Sequence, residues 1–162
     1  MSYESSIPFR SDRVHAAAVY CSDGRFEEQF DEFLRQLLGT RLCDRLAVPG
    51  GPASLGLRSP VPEESRGIEV QLEFLVRAHD LRQVILIAHV PCAFYRERLQ
   101  VPDDAQPDRQ VADLREAARL VRALGSLQVD AWSARVLDER VQFHPMEIRR
   151  RPARLSRRAK RE

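Results

Sequence analysis

Residues Val84 to Val90 read VILIAHV, the most hydrophobic run in a chain of 162 residues. A run with no polar alternation is the pattern of a strand covered on both faces, as in the middle of a parallel sheet. It ends on reactive groups, because His89 is followed by Val90, Pro91 and Cys92. Working back toward the N-terminus, Arg13 to Cys21 alternates weakly and then becomes continuously apolar. That second strand also closes on chemistry: Cys21, Asp23 and Arg25 fall within CSDGR, Cys21 to Arg25.

The segments around these strands have helical spacing. Phe26, Phe30, Phe33, Leu34, Leu37 and Leu38 fall on one face, and Gly39 is the stop signal. Asp44 to Val48 is a short strand that runs into PGGPASLGL, a turn able to bring backbone amides close to a ligand. Glu63 to His79 carries Ile68, Leu72, Leu75 and Val76 on one helical face. From Pro91 a further helix, PCAFYRERLQ, is expected, with proline tolerated in its first turn. A polar linker, VPDDAQPD, precedes a helix over Arg109 to Leu124 with Val111, Leu114, Ala118, Leu120 and Val121 inward, and strands follow at Gln128 to Val136 and Arg140 to Phe143. Strands alternating with helices of this length predict an α/β fold, a central and mainly parallel β-sheet flanked by helices. In such sheets ligands bind outside the carboxyl ends of the strands. Cys21 and His89 lie at those ends.

Composition sets the outer bounds. Residues 1–148 are expected to form one α/β domain with a substantial core, and no apolar stretch approaches the roughly 20 residues of a membrane-spanning helix. No secretory signal is apparent near Met1, so a cytoplasmic protein is expected. The formal net charge of +2 conceals an asymmetry, because residues 149–162 carry eight basic residues and one acid. That tail is expected to be disordered and solvated. Binding of nucleic acid through it is the less favoured reading, since it has no aromatic residue for base stacking.

Three cysteines cannot all pair with one another, and in a reducing compartment a few cysteines near a histidine point to metal or catalysis. Zinc favours tetrahedral sites of thiolate and imidazole. His89 and Cys92, three positions apart, can reach one ion, and Cys21 supplies a third ligand. The fourth place goes either to Asp23, closing the site, or to water. Arg25, two residues beyond Asp23, can hold the carboxylate in a forked pair and keep it off the metal. Water bound to zinc has its pKa lowered to about 7, so hydroxide becomes available for attack on a small electrophilic carbon.

CSDGR and AHVPC, Ala88 to Cys92, with the turn PGG, Pro49 to Gly51, between them, resemble the β-class carbonic anhydrases over roughly residues 13–100. That family has a Cys-x-Asp-x-Arg element and a downstream His-x-x-Cys element. The resemblance implies a β-carbonic-anhydrase-like fold, a Zn2+ cofactor on Cys21, His89 and Cys92, and Asp23 and Arg25 as the catalytic pair. It also implies a zinc-dependent lyase of the carbonate dehydratase type, hydrating CO2 reversibly to bicarbonate by zinc-bound hydroxide, in a homodimer or higher oligomer. Relatives that hydrolyse carbonyl sulfide or carbon disulfide use the same zinc set, so that activity is the alternative within the superfamily. The chain departs from the family pattern with Gly24 where serine is usual, Ala93 where glycine is usual, and PGG in place of an Arg-Asn-Ala-Gly turn.

Two other classes stay open on the residues alone. Cys21 as an attacking thiolate with His89 as its base is one, but it leaves Cys92 without a role. A non-catalytic, zinc-stabilised α/β module is the other. Cys43 lies outside both motifs and reads as a small core residue. His15 and His79 are expected to be structural or solvent-facing, and nothing in the sequence places His144 as a proton shuttle. Phe94 and Tyr95 are expected to line the pocket or a subunit interface.

Overall fold

The computed structural model describes residues 1–55 and 62–148. The basic tail over 149–162, and the end of the Gly-rich segment from residue 56, lie outside the described residues. In chain order the main elements are β1 (Ala16–Tyr20), α1 (Glu27–Leu38), β2 (Asp44–Ala47), α2 (Pro62–Ala78), β3 (Gln83–Val90), α3 (Gln106–Ala123), β4 (Gln128–Leu137) and β5 (Arg140–Pro145).

The strands form one five-stranded sheet in the order β2-β1-β3-β4-β5. β1 runs parallel to β2 and β3, β3 runs parallel to β4, and only β5 is antiparallel. The expected α/β fold, central and mainly parallel, is therefore observed. VILIAHV is its middle strand, with Val84 to Ile87 at 0% exposure. Strands buried this completely have no solvent face to mark with polar residues, which is why the run reads as continuously apolar.

Side-chain alternation divides the core between the two faces of the sheet. Ala16, Ala18, Tyr20, Ile85 and Ile87 pack with Phe26, Phe30 and Leu34 of the α1 segment. On the opposite face Ala17, Val19, Val84, Leu86 and Ala88 pack with Leu72 of α2 and Leu114, Ala117, Ala118 and Val121 of α3. Complete burial of Phe30 and Leu34 contributes about 1.5–3 kcal/mol each, enough to bind α1 to the sheet. α1 also carries Glu27 and Glu28 in its first turn and Arg35 in its last, matching the helix dipole, and stops at Gly39 with φ 65°.

Two boundaries differ from expectation. No regular helix begins at Pro91. The chain instead makes a single π-helical turn, Phe94–Arg98, after a cis Val90–Pro91 peptide. α3 starts at Gln106 and not Arg109, with proline in its first turn and Asp108 beside it. Among the described residues no helix is long and apolar enough to cross a membrane.

Candidate metal centre

The chain leaves β1 toward β2 on one side and returns to place β3 on the other, so the strand order reverses between β1 and β3. At such a switch point the connections diverge to opposite faces and leave a crevice at the carboxyl ends of the two strands. Cys21 follows β1 directly, and His89 is the penultimate residue of β3. Cys92 lies just beyond β3, and the turn after it brings the thiol back toward Cys21.

The three side chains converge. One ligand atom from each of Cys21, His89 and Cys92 lies within 4.8 Å of the others, and all three residues are buried. The two sulfurs are 3.9 Å apart, and neither cysteine is in a disulfide. Thiolates bound at about 2.3 Å on a tetrahedral ion stand about 3.8 Å from each other, so this spacing suits a shared zinc. His89 is 1% exposed, and both of its ring nitrogens lack a hydrogen-bond partner. A buried imidazole with neither nitrogen satisfied costs about 1–3 kcal/mol for each orphaned group, and a metal bond would remove that penalty at the nitrogen it engages. The ring packs against Phe26 at a tilt of 49°, 4.3 Å away between centroids, and meets Phe30 edge-on at 6.4 Å. Donor chemistry, spacing and the orphaned nitrogens all fit a zinc-type ion.

The thiols form one electrostatic unit. The contact between the two sulfurs holds the Cys21 thiol well below the usual range, helped by His89 and the Gly50 amide, while the same contact and burial push Cys92 up. The pair is thus polarised, with negative charge favoured on the Cys21 side.

The Gly-rich turn closes over the Cys21 sulfur. The Gly50 amide donates to the Cys21 sulfur at 3.4 Å. Gly51 has φ 54°, and a Cβ there would stand 2.7 Å from the Cys21 nitrogen. The turn is anchored by Gly51 N–H to the Val48 carbonyl and by Ser22 N–H to the same carbonyl, at 2.9 and 3.1 Å. Glycines at 50 and 51 are therefore required by close approach and by backbone conformation.

Asp23 and Arg25 pair as expected. Arg25 Nε donates to Asp23 Oδ1 at 2.9 Å and Nη2 donates to Oδ2 at 2.5 Å. Asp23 Oδ1 also accepts from the Arg25 backbone N–H at 3.2 Å, capping the turn that leads into α1. These bonds hold the Asp23 carboxyl down at about 2. Asp23 stands outside the group of three converging ligands. It borders, with Cys21, Ser22, Pro49, Ala93 and Phe94, an open cleft of about 440 Å³.

The remaining residues singled out from the sequence fall elsewhere. Cys43 is buried against the α1 face, with its thiol donating to the Asp44 carbonyl. His79 pairs with Asp44 at 2.6 Å. His144 is exposed on β5, opposite Ser133 of β4, so two strand spacings separate it from β3. Phe94 does line the cleft, whereas Tyr95 turns inward, 2% exposed, and donates its hydroxyl to Asp113.

Sequence reasoning missed the polar side of α3. Gln106, Gln110 and Asp113 are all buried beneath the ligand loop. Their signal was present, since positions 106, 110 and 113 continue the inward stripe of 114, 117, 118 and 121 at helical spacing.

No family model matches the chain, and no curated protein matches it. Among solved structures it is similar to the β-carbonic anhydrase CafA of the fungal pathogen Aspergillus fumigatus, with 16% identity, 86% of this chain and 78% of that chain covered, and a TM-score of 0.49. It is also similar to CafD, another β-carbonic anhydrase of that fungus, with 12% identity, coverage of 88% and 95%, and a TM-score of 0.44. Likeness at this level carries no chemistry, and the site stands on its own residues.

Proposed function

We propose that the protein is a zinc-dependent enzyme that hydrates CO2 reversibly to bicarbonate, with residues 1–148 acting as one zinc-binding domain in a dimer or larger homo-oligomer. The observation that carries this reading is the convergence of Cys21, His89 and Cys92 beside a cleft bordered by Asp23. The order Cys-x-Asp-x-Arg and His-x-x-Cys along the chain supports it further.

Cys21, His89 and Cys92 would hold the metal through two sulfurs and one ring nitrogen. When bound, zinc supplies Lewis acidity that lowers the pKa of coordinated water to about 7. The protein's own part is positional. Arg25 occupies both oxygens of Asp23 and so turns the carboxylate away from the ligand group, leaving the cleft side open. The remaining lone pairs of Asp23, an acceptor kept ionised by Arg25, can take a hydrogen bond from water or bicarbonate hydroxyl in the cleft and orient it. Pro49, Ala93 and Phe94 give the cleft an apolar wall suited to a small, uncharged, linear molecule. Phe26 covers the far side of His89 and excludes water from it.

Metal analysis together with a stopped-flow CO2 hydration assay tests this reading. Zinc near one per chain and hydration above the uncatalysed rate are expected. Stoichiometric zinc without hydration would overturn the enzymatic reading, and sulfide release from carbonyl sulfide would redirect it to the hydrolase alternative. Protein purified without chelators that carries no metal would overturn both.

A further inference from the structure

We infer that Gln106 and Gln110 are positioning residues of the metal centre, gripping the ligand loop by its backbone and presetting its geometry. The inference rests on the metal reading above and assigns to α3 a task beyond packing. Gln106 is 0% exposed, and its side-chain amide bonds both backbone groups of Cys92. Its Oε1 accepts from the Cys92 N–H at 2.8 Å, and its Nε2 donates to the Cys92 carbonyl at 3.2 Å. The same Nε2 reaches the Val101 carbonyl at 3.4 Å and Asp103 Oδ1 at 2.8 Å, which fixes the amide's own orientation. One turn later, Gln110, 2% exposed, donates from Nε2 to the His89 carbonyl at 2.8 Å. Asp113 follows on the same face and holds Tyr95 by its hydroxyl at 3.0 Å, while Arg109 neutralises it.

Thus one helix face holds His89, Cys92 and Tyr95 at successive points of a single loop. The residues between β3 and α3 make a single π-helical turn with few backbone bonds, none of them from the Cys92 N–H, so these side-chain bonds add to what sets the loop's shape. Buried amides are costly unless they bond, and a packing role alone would be filled by leucine or methionine at 106 and 110. Gln110 makes the point sharply, because its Oε1 is buried without a partner. A helix that keeps an unsatisfied acceptor in order to bond the His89 carbonyl is trading stability for placement.

The test is Co2+ titration of metal-free full-length protein, read by visible absorption, where thiolate charge-transfer and ligand-field bands report coordination geometry. Gln110→Met removes one bond and also the orphaned acceptor, so its thermal midpoint is expected near the wild-type value. Its Co2+ affinity is expected to fall about 10–100-fold, the usual cost of losing an orienting partner, with shifted ligand-field bands. Gln106→Met is expected to show the larger loss. Val121→Ala, a cavity variant at the far end of α3, is expected to lower the thermal midpoint while leaving the Co2+ spectrum unchanged. Wild-type affinity and spectrum in Gln110→Met would overturn the inference, as would an equal spectral change in Val121→Ala. Wild-type protein that takes up no Co2+ would overturn the metal reading itself, whereas Co2+ binding without CO2 hydration would overturn only the enzymatic reading.

Discussion

Gly51 lies so close to Cys21 that a methyl group on its Cα would stand 2.7 Å from the Cys21 nitrogen, at a backbone φ of 54° that side chains seldom adopt. The turn and the ligand strand are therefore in backbone contact. Gly51→Ala must push them apart or strain the turn, costing about 1–3 kcal/mol and displacing the Gly50 amide from the Cys21 sulfur. Gly24→Ala meets nothing within 4 Å and has an ordinary φ, so it serves as the control. Urea unfolding should show Gly51→Ala destabilised with reduced metal content and Gly24→Ala near wild type. Equal stability of the two would show that the close approach does not exist in solution.

Cys21→Ser, His89→Ala and Cys92→Ser should each reduce zinc from about one per chain to a small fraction of that, since three ligands are the fewest that hold zinc tightly. Cys43→Ala, buried in the α1-side core and outside the group of three ligands, should keep its metal and lose at most about 1–2 kcal/mol of stability. Elemental analysis after purification without chelators reads all four. Loss of zinc from Cys43→Ala, or its retention in His89→Ala, would exclude the proposed ligand set.

What could be read from the sequence follows the strength of each local signal. VILIAHV had no competing reading, because the strand is buried on both faces from Val84 to His89 and its only polar residue stands near the end. The stripe from Phe26 to Leu38 had a strong helical period and a Gly39 stop. Cys21 and His89 were legible as partners because a parallel sheet gathers strand ends, however far apart they lie in sequence. α3 was misread at its start for a physical reason. Gln106, which bonds the ligand loop, fell within the expected linker because polarity on its own resembles one, although Pro107 and Asp108 are ordinary first-turn residues. The turn after Pro91 was misread because helical composition does not reveal a backbone held by side chains from another element.

Thiol chemistry separates the two buried environments. In metal-free protein the Cys21 thiol is held well below its usual range and borders the cleft, whereas burial pushes Cys43 up to about 11. Iodoacetamide at pH 8 should therefore modify Cys21 first and leave Cys43 largely unmodified, as mass spectrometry of the digested protein would show. Zinc should protect Cys21 and change nothing at Cys43. Preferential alkylation of Cys43 would contradict this ordering.

The Asp23–Arg25 pair predicts a definite pH dependence. Asp23 is lowered from 3.8 to about 2, first by the side-chain hydrogen bonds from Arg25. A carboxyl depressed in the folded state binds its proton less readily than in the unfolded chain, so the unfolded state takes up protons first as pH falls. The pair's stabilisation is thus fully present above about pH 4 and is lost as pH falls through about 2. Because the Arg25 side chain is 72% exposed, salt should screen the effect, and its contribution to stability should be small. Carbon-detected NMR of the Asp23 carboxyl in metal-free protein should find its titration near 2 in wild type and raised toward the ordinary value in Arg25→Gln. On the proposed mechanism the same carboxylate would orient water in the cleft, so Asp23→Asn should lower CO2 hydration by about 100-fold or more at neutral pH while leaving zinc content unchanged. An Asp23 that titrates at its ordinary value in both proteins would mean that the fork is not formed. Hydration unaffected by Asp23→Asn would leave the fork a turn cap and remove it from the chemistry.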